Sequence, residues 1–225
     1  MKIFLSGQRS FGKAVLLALL QAGHTITGVA PAPQGKRVDK LAAAALKHGI
    51  PIVSDGERLV SDMIPDGTEL IVSAHSHWII SQKCIDKCRH GGIGFHPSML
   101  PRHRGQDAVR WTIHMGDAIT GGTVYRLEDK CDGGAILAQR PLFVKPGWDY
   151  HDLWRAIFPV GVRLLLETVD AIEHHRVTET EQDEDCATWE PSWDRPRLHR
   201  NELLQLAREG SANAKPTGDE YMRER

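Results

Sequence analysis

His96 and Asp132 are the two side chains of this chain best placed to act together on a substrate. An imidazole gains or loses a proton near neutral pH, and a carboxylate beside it favours the charged ring and can pass a proton on. Each stands where an apolar strand pattern runs into a loop. His96 follows Gly92-Ile93-Gly94-Phe95, and Asp132 precedes Gly133-Gly134. The run from His96 to Gly105, HPSMLPRHRG, carries prolines and a glycine that restrict the backbone, so the loop reads as shaped rather than slack. Residue type alone favours a structural histidine and a turn aspartate, so the case for chemistry rests on this context.

Three other groups compete. His75 and His77 form an H-x-H pair that, on a strand, would turn both rings to one face, as in some metal-dependent hydrolases. No further histidine or carboxylate completes that set at a matching strand end, and the chain is short for the barrel that usually hosts it. Cys84 and Cys88, with His90 nearby, make half a metal site at most and read as ordinary reduced thiols. Gln8, Arg9 and Ser10 lie between Gly7 and Gly12, ahead of a helix whose N-terminus attracts anions. The glycines do not make a dinucleotide fingerprint. Arg9 either meets an anionic acceptor or is a solvated surface residue.

The elements that must hold these residues alternate. Lys2 to Ser6, Thr25 to Ala30, Ile50 to Val53, Glu69 to Ser73 and Gly92 to Phe95 read as strands. Phe11 to Ala22, Val38 to His48, Gln82 to Arg89 and Gln106 to Met115 read as helices, the first two stopped at Gly23 and Gly49. This alternation argues an α/β fold with a mainly parallel, Rossmann-like sheet covered on both faces, and ligands in such sheets bind beyond the carboxyl ends of the strands. Thr120 to Glu128 and Ala135 to Val144 follow as two strands close in sequence, one of them antiparallel. Tyr150 to His174 is a packing helix that Pro159 and Gly161 should kink or divide. Residues 1–178 form the expected catalytic domain. Residues 179–225 form an extended C-terminal tail, acidic and then Pro- and Trp-containing, with one short helix at Asn201 to Arg208.

Composition narrows the class. The 225 residues carry 28 Lys and Arg against 29 Asp and Glu, without the basic excess expected of a general nucleic-acid binder. Four cysteines do not make a secreted disulfide framework in a chain this size. With no membrane-length apolar run and no signal-peptide pattern at the start, the expected setting is soluble and cytoplasmic.

The run HPSMLPRHRG, then W-x(4)-GD, then TGGTVYRLEDKCDGGAIL resembles the catalytic core of the folate-dependent formyltransferases, from the N-terminus to about residue 190. That family includes methionyl-tRNA, glycinamide-ribonucleotide and sugar N-formyltransferases and the hydrolase domain of 10-formyltetrahydrofolate dehydrogenase, whose motif looks most similar. The resemblance implies 10-formyltetrahydrofolate as donor, no metal, and a small-molecule amine as acceptor, with a homodimer compatible. His96 takes the role of stabilising the oxyanion and Asp132 that of the carboxylate. Trp78, Ile79 and Ile80 become pterin neighbours, with Glu128, Asp129, Lys130 and Cys131 as the facing loop. Gln8, Arg9, Ser10, Arg102 and Arg104 become contacts for the acceptor or the folate tail, unless the two later arginines hold their own loop. The amine-formylating relatives carry an asparagine two residues before this histidine, where this chain has Gly94. Losing an amide donor there costs on the order of 3 kcal/mol. A water in the space beside Gly94 would replace it or act as nucleophile, which brings in hydrolysis of the donor to formate as the alternative. A metal-dependent hydrolase and a non-catalytic folate-binding protein are the remaining readings.

Overall fold

Strand β1 (Lys2–Gly7) carries Ile3, Phe4 and Leu5, all fully buried, as a strand covered on both faces requires. The computed structural model of the protein describes residues 1–33, 38–53, 58–190 and 192–193. After β1 come α1 (Arg9–Gln21), β2 (Thr25–Ala30), α2 (Lys40–Lys47), the two-residue β3 (Arg58–Leu59), β4 (Leu70–Ala74) and the two-residue β5 (Ile79–Ile80). Then follow α3 (Gln82–Asp86), β6 (Gly92–His96), α4 (Ala108–Met115), β7 (Ile119–Arg126), β8 (Ile136–Phe143) and α5 (Tyr150–Glu173). The main sheet has six strands in the order β2-β1-β4-β6-β7-β8, and β3 pairs with β5 in a small parallel sheet. β2, β1, β4 and β6 are parallel, whereas β7 runs against both β6 and β8.

Alternation sorts the core into two layers. Ile3, Leu5, Val72, Ile93, Phe95 and Val124 pack with α1, α2 and α5 on one face. Phe4 and Ile71 point to the other, with Leu59, Ile64, Trp78, Cys84 and Cys88. Burying each such large side chain stabilises by about 1.5–3 kcal/mol. Phe95 sits against two glycines, since a Cβ at Gly161 or Gly122 would come within 2.5 or 2.6 Å of its ring.

Four details depart from the sequence expectation. Ile50 to Val53 forms no strand, only an isolated bridge between Val29 and Ile52, because Pro51 has no N–H to extend a ladder. The helix expected from Gln106 begins at Ala108, since Asp107 is left-handed with φ of 62°. The helix expected from Gln82 to Arg89 ends at Asp86. Pro159 does not divide α5, which runs unbroken for 24 residues. Pro159 lies on the exposed side, where the carbonyl of exposed Arg155 can bond water instead. The expected helix at Asn201 to Arg208 lies outside the described residues. No helix among the described residues is long and apolar enough to cross a membrane.

Candidate active site

The chain leaves β1 for β2 on one side and returns to β4 on the other, so the strand order reverses between β1 and β4. Ligand crevices of open α/β sheets lie at such reversals. Between β1 and α1 stands half-buried Gln8, with Arg9 and Ser10 exposed in the first turn of α1; the loop after β4 holds His75; β6, next to β4, ends on His96. Arg9 donates its backbone N–H to Asp39 Oδ2 (2.7 Å), the residue that also caps α2 through Leu41 N–H. Ser10 accepts from Lys40 Nζ at 3.0 Å. Among the six described non-glycine residues with positive φ, five surround this crevice: Arg9, His75, His103, Asp107 and Asp132. Strained backbone gathers where a site holds its groups in fixed positions.

His96 is 5% exposed. Its Nε2 lies 2.6 Å from the His103 carbonyl oxygen, which can only accept, so Nε2 carries a proton. Nδ1 is the nitrogen left for chemistry, and it lies 3.5 Å from Asp132 Oδ2. Asp132 is held independently of the histidine. Its Oδ2 accepts from Gly105 N–H at 2.8 Å and its Oδ1 from the Tyr125 hydroxyl at 2.5 Å. The two residues expected to act together are therefore neighbours, both tied to one loop, His96 through the His103 carbonyl and Asp132 through Gly105 N–H.

Around this pair, His75 stacks near Trp154 with ring centroids 5.5 Å apart. It is exposed by surface area yet crowded by protein atoms, as on the wall of a narrow cleft. Desolvation lowers its pKa, the charges of Arg9 and His96 push the same way, and Asp107 opposes them. Residues 75–78 form a bend rather than a strand, so His75 and His77 do not share a strand face. His77 instead turns edge-on to Trp78. The geometric basis of the H-x-H metal reading is thereby lost. Among the described residues no group of three or more His, Cys, Asp or Glu is arranged to hold a metal.

Trp78 is 7% exposed, and its indole N–H donates to Pro31 O at 2.6 Å, so most of its ring belongs to the second core layer. Ile79 is 61% exposed, while Ile80 and Leu127 pack against that same layer. The loop that follows Leu127 holds Glu128, Asp129, Lys130 and Cys131, all exposed. The Cys131 sulfur, crowded by protein atoms although the residue as a whole is exposed, donates to Asp132 Oδ2, and desolvation together with that charge pushes its thiol up to about 12, so it stays protonated.

Gln182, Glu184, Thr188 and Glu190 form a strap that joins this site by contact. Gln182 Oε1 accepts from Nε and Nη2 of buried Arg104, and its amide donates to the carbonyls of Asp132 and Gly134. Glu184 pairs with Arg104 and with Lys130. Thr188 accepts from the backbone of His103 and Arg104. His103 Nδ1 faces Glu190 at 2.8 Å and Nε2 faces Asp117 at 2.7 Å, so both ring nitrogens carry protons. Burial alone would lower the His103 pKa, but these two carboxylates outweigh it and raise it. Burial likewise works upward on Asp117, and the bonds from His103 and Arg102 bring it down to about 2. Arg102, 45% exposed, spends two donors on Asp117. Of the two roles open to Arg104, holding the loop is the one its partners perform.

The structure removes one expectation. No gap lies beside Gly94: a Cβ there would come within 2.9 Å of the Tyr125 ring and 3.0 Å of Leu127. Sequence reasoning missed Tyr125, because its place opposite Gly94 depends on the pairing of β6 with β7. It also missed Asp107 and the strap residues Gln182 and Glu190, whose only signal was an acidic, Trp-containing composition. Gly94→Asn is accordingly expected to overpack the sheet and destabilise it by about 1–3 kcal/mol in denaturant unfolding. Unchanged stability would mean that Tyr125 moves aside at little cost.

The chain matches the formyl transferase family over residues 1–169. It is 37% identical over 216 residues to a mitochondrial 10-formyltetrahydrofolate dehydrogenase of Mus musculus, covering 87% of this chain and 23% of that one. The chain thus spans about a quarter of the length of the 10-formyltetrahydrofolate dehydrogenases it matches. Its fold is similar to a sugar 3N-formyl transferase crystallised with dTDP and 5-N-formyl-THF, with a TM-score of 0.72, 19% identity, and 84% and 69% of the two chains covered. It is also similar to glycinamide ribonucleotide transformylase 1 from Symbiobacterium toebii, with a TM-score of 0.69, 19% identity, and 81% and 94% covered.

Proposed function

The chain belongs to the formyl transferase family, and from that premise we propose that it moves a formyl group from 10-formyltetrahydrofolate to the amine of a small molecule. The observation that carries this reading is the His96–Asp132 pair, locked at the end of β6 beside the strand-order reversal. With Nε2 engaged by His103, a protonated Nδ1 is the donor for the oxygen on which negative charge develops. In this reading Asp132, beside Nδ1, takes up the proton that the attacking amine loses, and that proton is passed to N10 as the bond from N10 to the formyl carbon breaks and tetrahydrofolate leaves. The acceptor contacts are Gln8, Arg9, Ser10 and Arg102 around the mouth. For the donor, the exposed apolar edge of Ile79, backed by Ile80 and the buried Trp78, suits one face of a pterin. The polar loop of Glu128, Asp129, Lys130 and Cys131 supplies the facing wall. The proposed setting is cytoplasmic.

Hydrolysis of the same donor to formate and tetrahydrofolate is the second reading. It is favoured by Gly94, which offers no amide, and by the identity to 10-formyltetrahydrofolate dehydrogenase. One assay separates the two. Calorimetry should register binding of tetrahydrofolate, and the protein given 10-formyltetrahydrofolate should release little formate until an amine is added. Steady formate release without amine would assign the site to hydrolysis. Absence of tetrahydrofolate binding at millimolar concentration would overturn both.

A further inference from the structure

We infer that Tyr125 is the positioning residue of the His96–Asp132 pair, holding the carboxylate in place through its hydroxyl from the position across the sheet from Gly94. The inference rests on the catalytic reading of that pair. Gly94 on β6 is the direct partner of Tyr125 on β7, and His96 the partner of Thr123, so all four face the same side of the sheet. Tyr125 is 7% exposed, and its ring takes the volume that any side chain at position 94 would need. Gly94 and Tyr125 are a matched pair: one is small because the other is large.

The hydroxyl is the business end of that ring. It donates to Asp132 Oδ1, while Gly105 N–H donates to Oδ2 from the opposite loop. Burial and the adjacent negative charge push the phenol ionisation well up, so the O–H remains a donor. Asp132 sits in the left-handed region, at φ of 51°, and its side chain meets the Tyr125 hydroxyl. Tyr125 is thus the one donor to Oδ1 among the described residues, whereas Oδ2 accepts from Gly105 N–H and from the Cys131 thiol (3.7 Å) and faces His96 Nδ1 at 3.5 Å. A donor that steadies a carboxylate also keeps it ionised to lower pH.

Tyr125→Phe keeps the ring and removes the donor. It should lower kcat for formyl consumption about tenfold or more while KM for the folate donor stays within a few fold. The acid limb of the pH–rate profile should move to higher pH, which a loss of packing alone would not do. Introducing 3-fluorotyrosine at position 125, a stronger donor of the same shape, should move that limb to lower pH and keeps the test open if the Phe variant misfolds. A wild-type rate and unchanged limb in both variants would overturn the inference. A second readout does not depend on turnover: a protected hydroxyl proton should appear in the proton NMR spectrum, vanish in Tyr125→Phe and shift in Asp132→Asn. Should the wild type lack folate activity, the functional reading fails, while absence of this proton signal would overturn the inference itself.

Discussion

Replacing His96 with Ala, or Asp132 with Asn, is expected to lower formyl turnover from 10-formyltetrahydrofolate by at least about a hundredfold, with folate affinity within a few fold. The interactions lost are those that strengthen as charge develops on the reacting oxygen, so kcat falls and KM does not. The structure allows both variants to fold. An Asn at position 132 can accept from Gly105 N–H with its oxygen and turn its amide to the Tyr125 oxygen, which can accept as well as donate. His96→Ala leaves the His103 carbonyl without its partner, a cost of about 1–3 kcal/mol that unfolding curves will register. The double variant should be scarcely worse than the worse single one, because neither residue serves without the other. Multiplicative losses in single-turnover rates would mean the two act in separate steps.

The second large effect is expected from the strap. Gln182→Ala removes the single oxygen that accepts from both Nε and Nη2 of Arg104 and the amide nitrogen that donates to the carbonyls of Asp132 and Gly134. Arg104 is 4% exposed, so its charge is left short of partners where water reaches it poorly. A destabilisation of about 2–4 kcal/mol follows, readable in chemical denaturation. Ending the chain after Thr178 should be worse, since it also removes Glu184, Thr188 and Glu190 from the loop that orients His96. A Gln182→Ala protein as stable as the wild type would show that the strap is undocked in solution. The match to the formyl transferase family ends at residue 169, so the brace lies outside the matched residues.

The alternation of strands and helices was legible because it follows from periodicity, which is local. β1, β2, β4 and β6 fall within a residue or so of their expected limits, and Gly23 and Gly49 end their helices with φ of 84° and 66°. Local reasoning failed where one residue's hydrogen bonding decided the outcome. Pro51 stopped a strand, Asp107 delayed α4, and Pro159 was tolerated because its side of α5 faces water. His75 and His77 misled for the same reason, since two residues of alternating pattern sit in a bend.

By itself the sequence determined the α/β class, the ends of the parallel strands, and the choice of His96 and Asp132 as partners. Those are properties of residue type, spacing and motif, and none requires knowing what lies across the sheet. Only the tertiary structure decided what surrounds the pair. Tyr125 reaches Asp132 because β6 and β7 pair in one register, which also closes the space that Gly94 had suggested was open. Arg104 became a buried brace because an acidic segment 78 residues further on folds back over it. Such contacts depend on backbone pairing and on charges distant in the chain, and no window of sequence contains both partners.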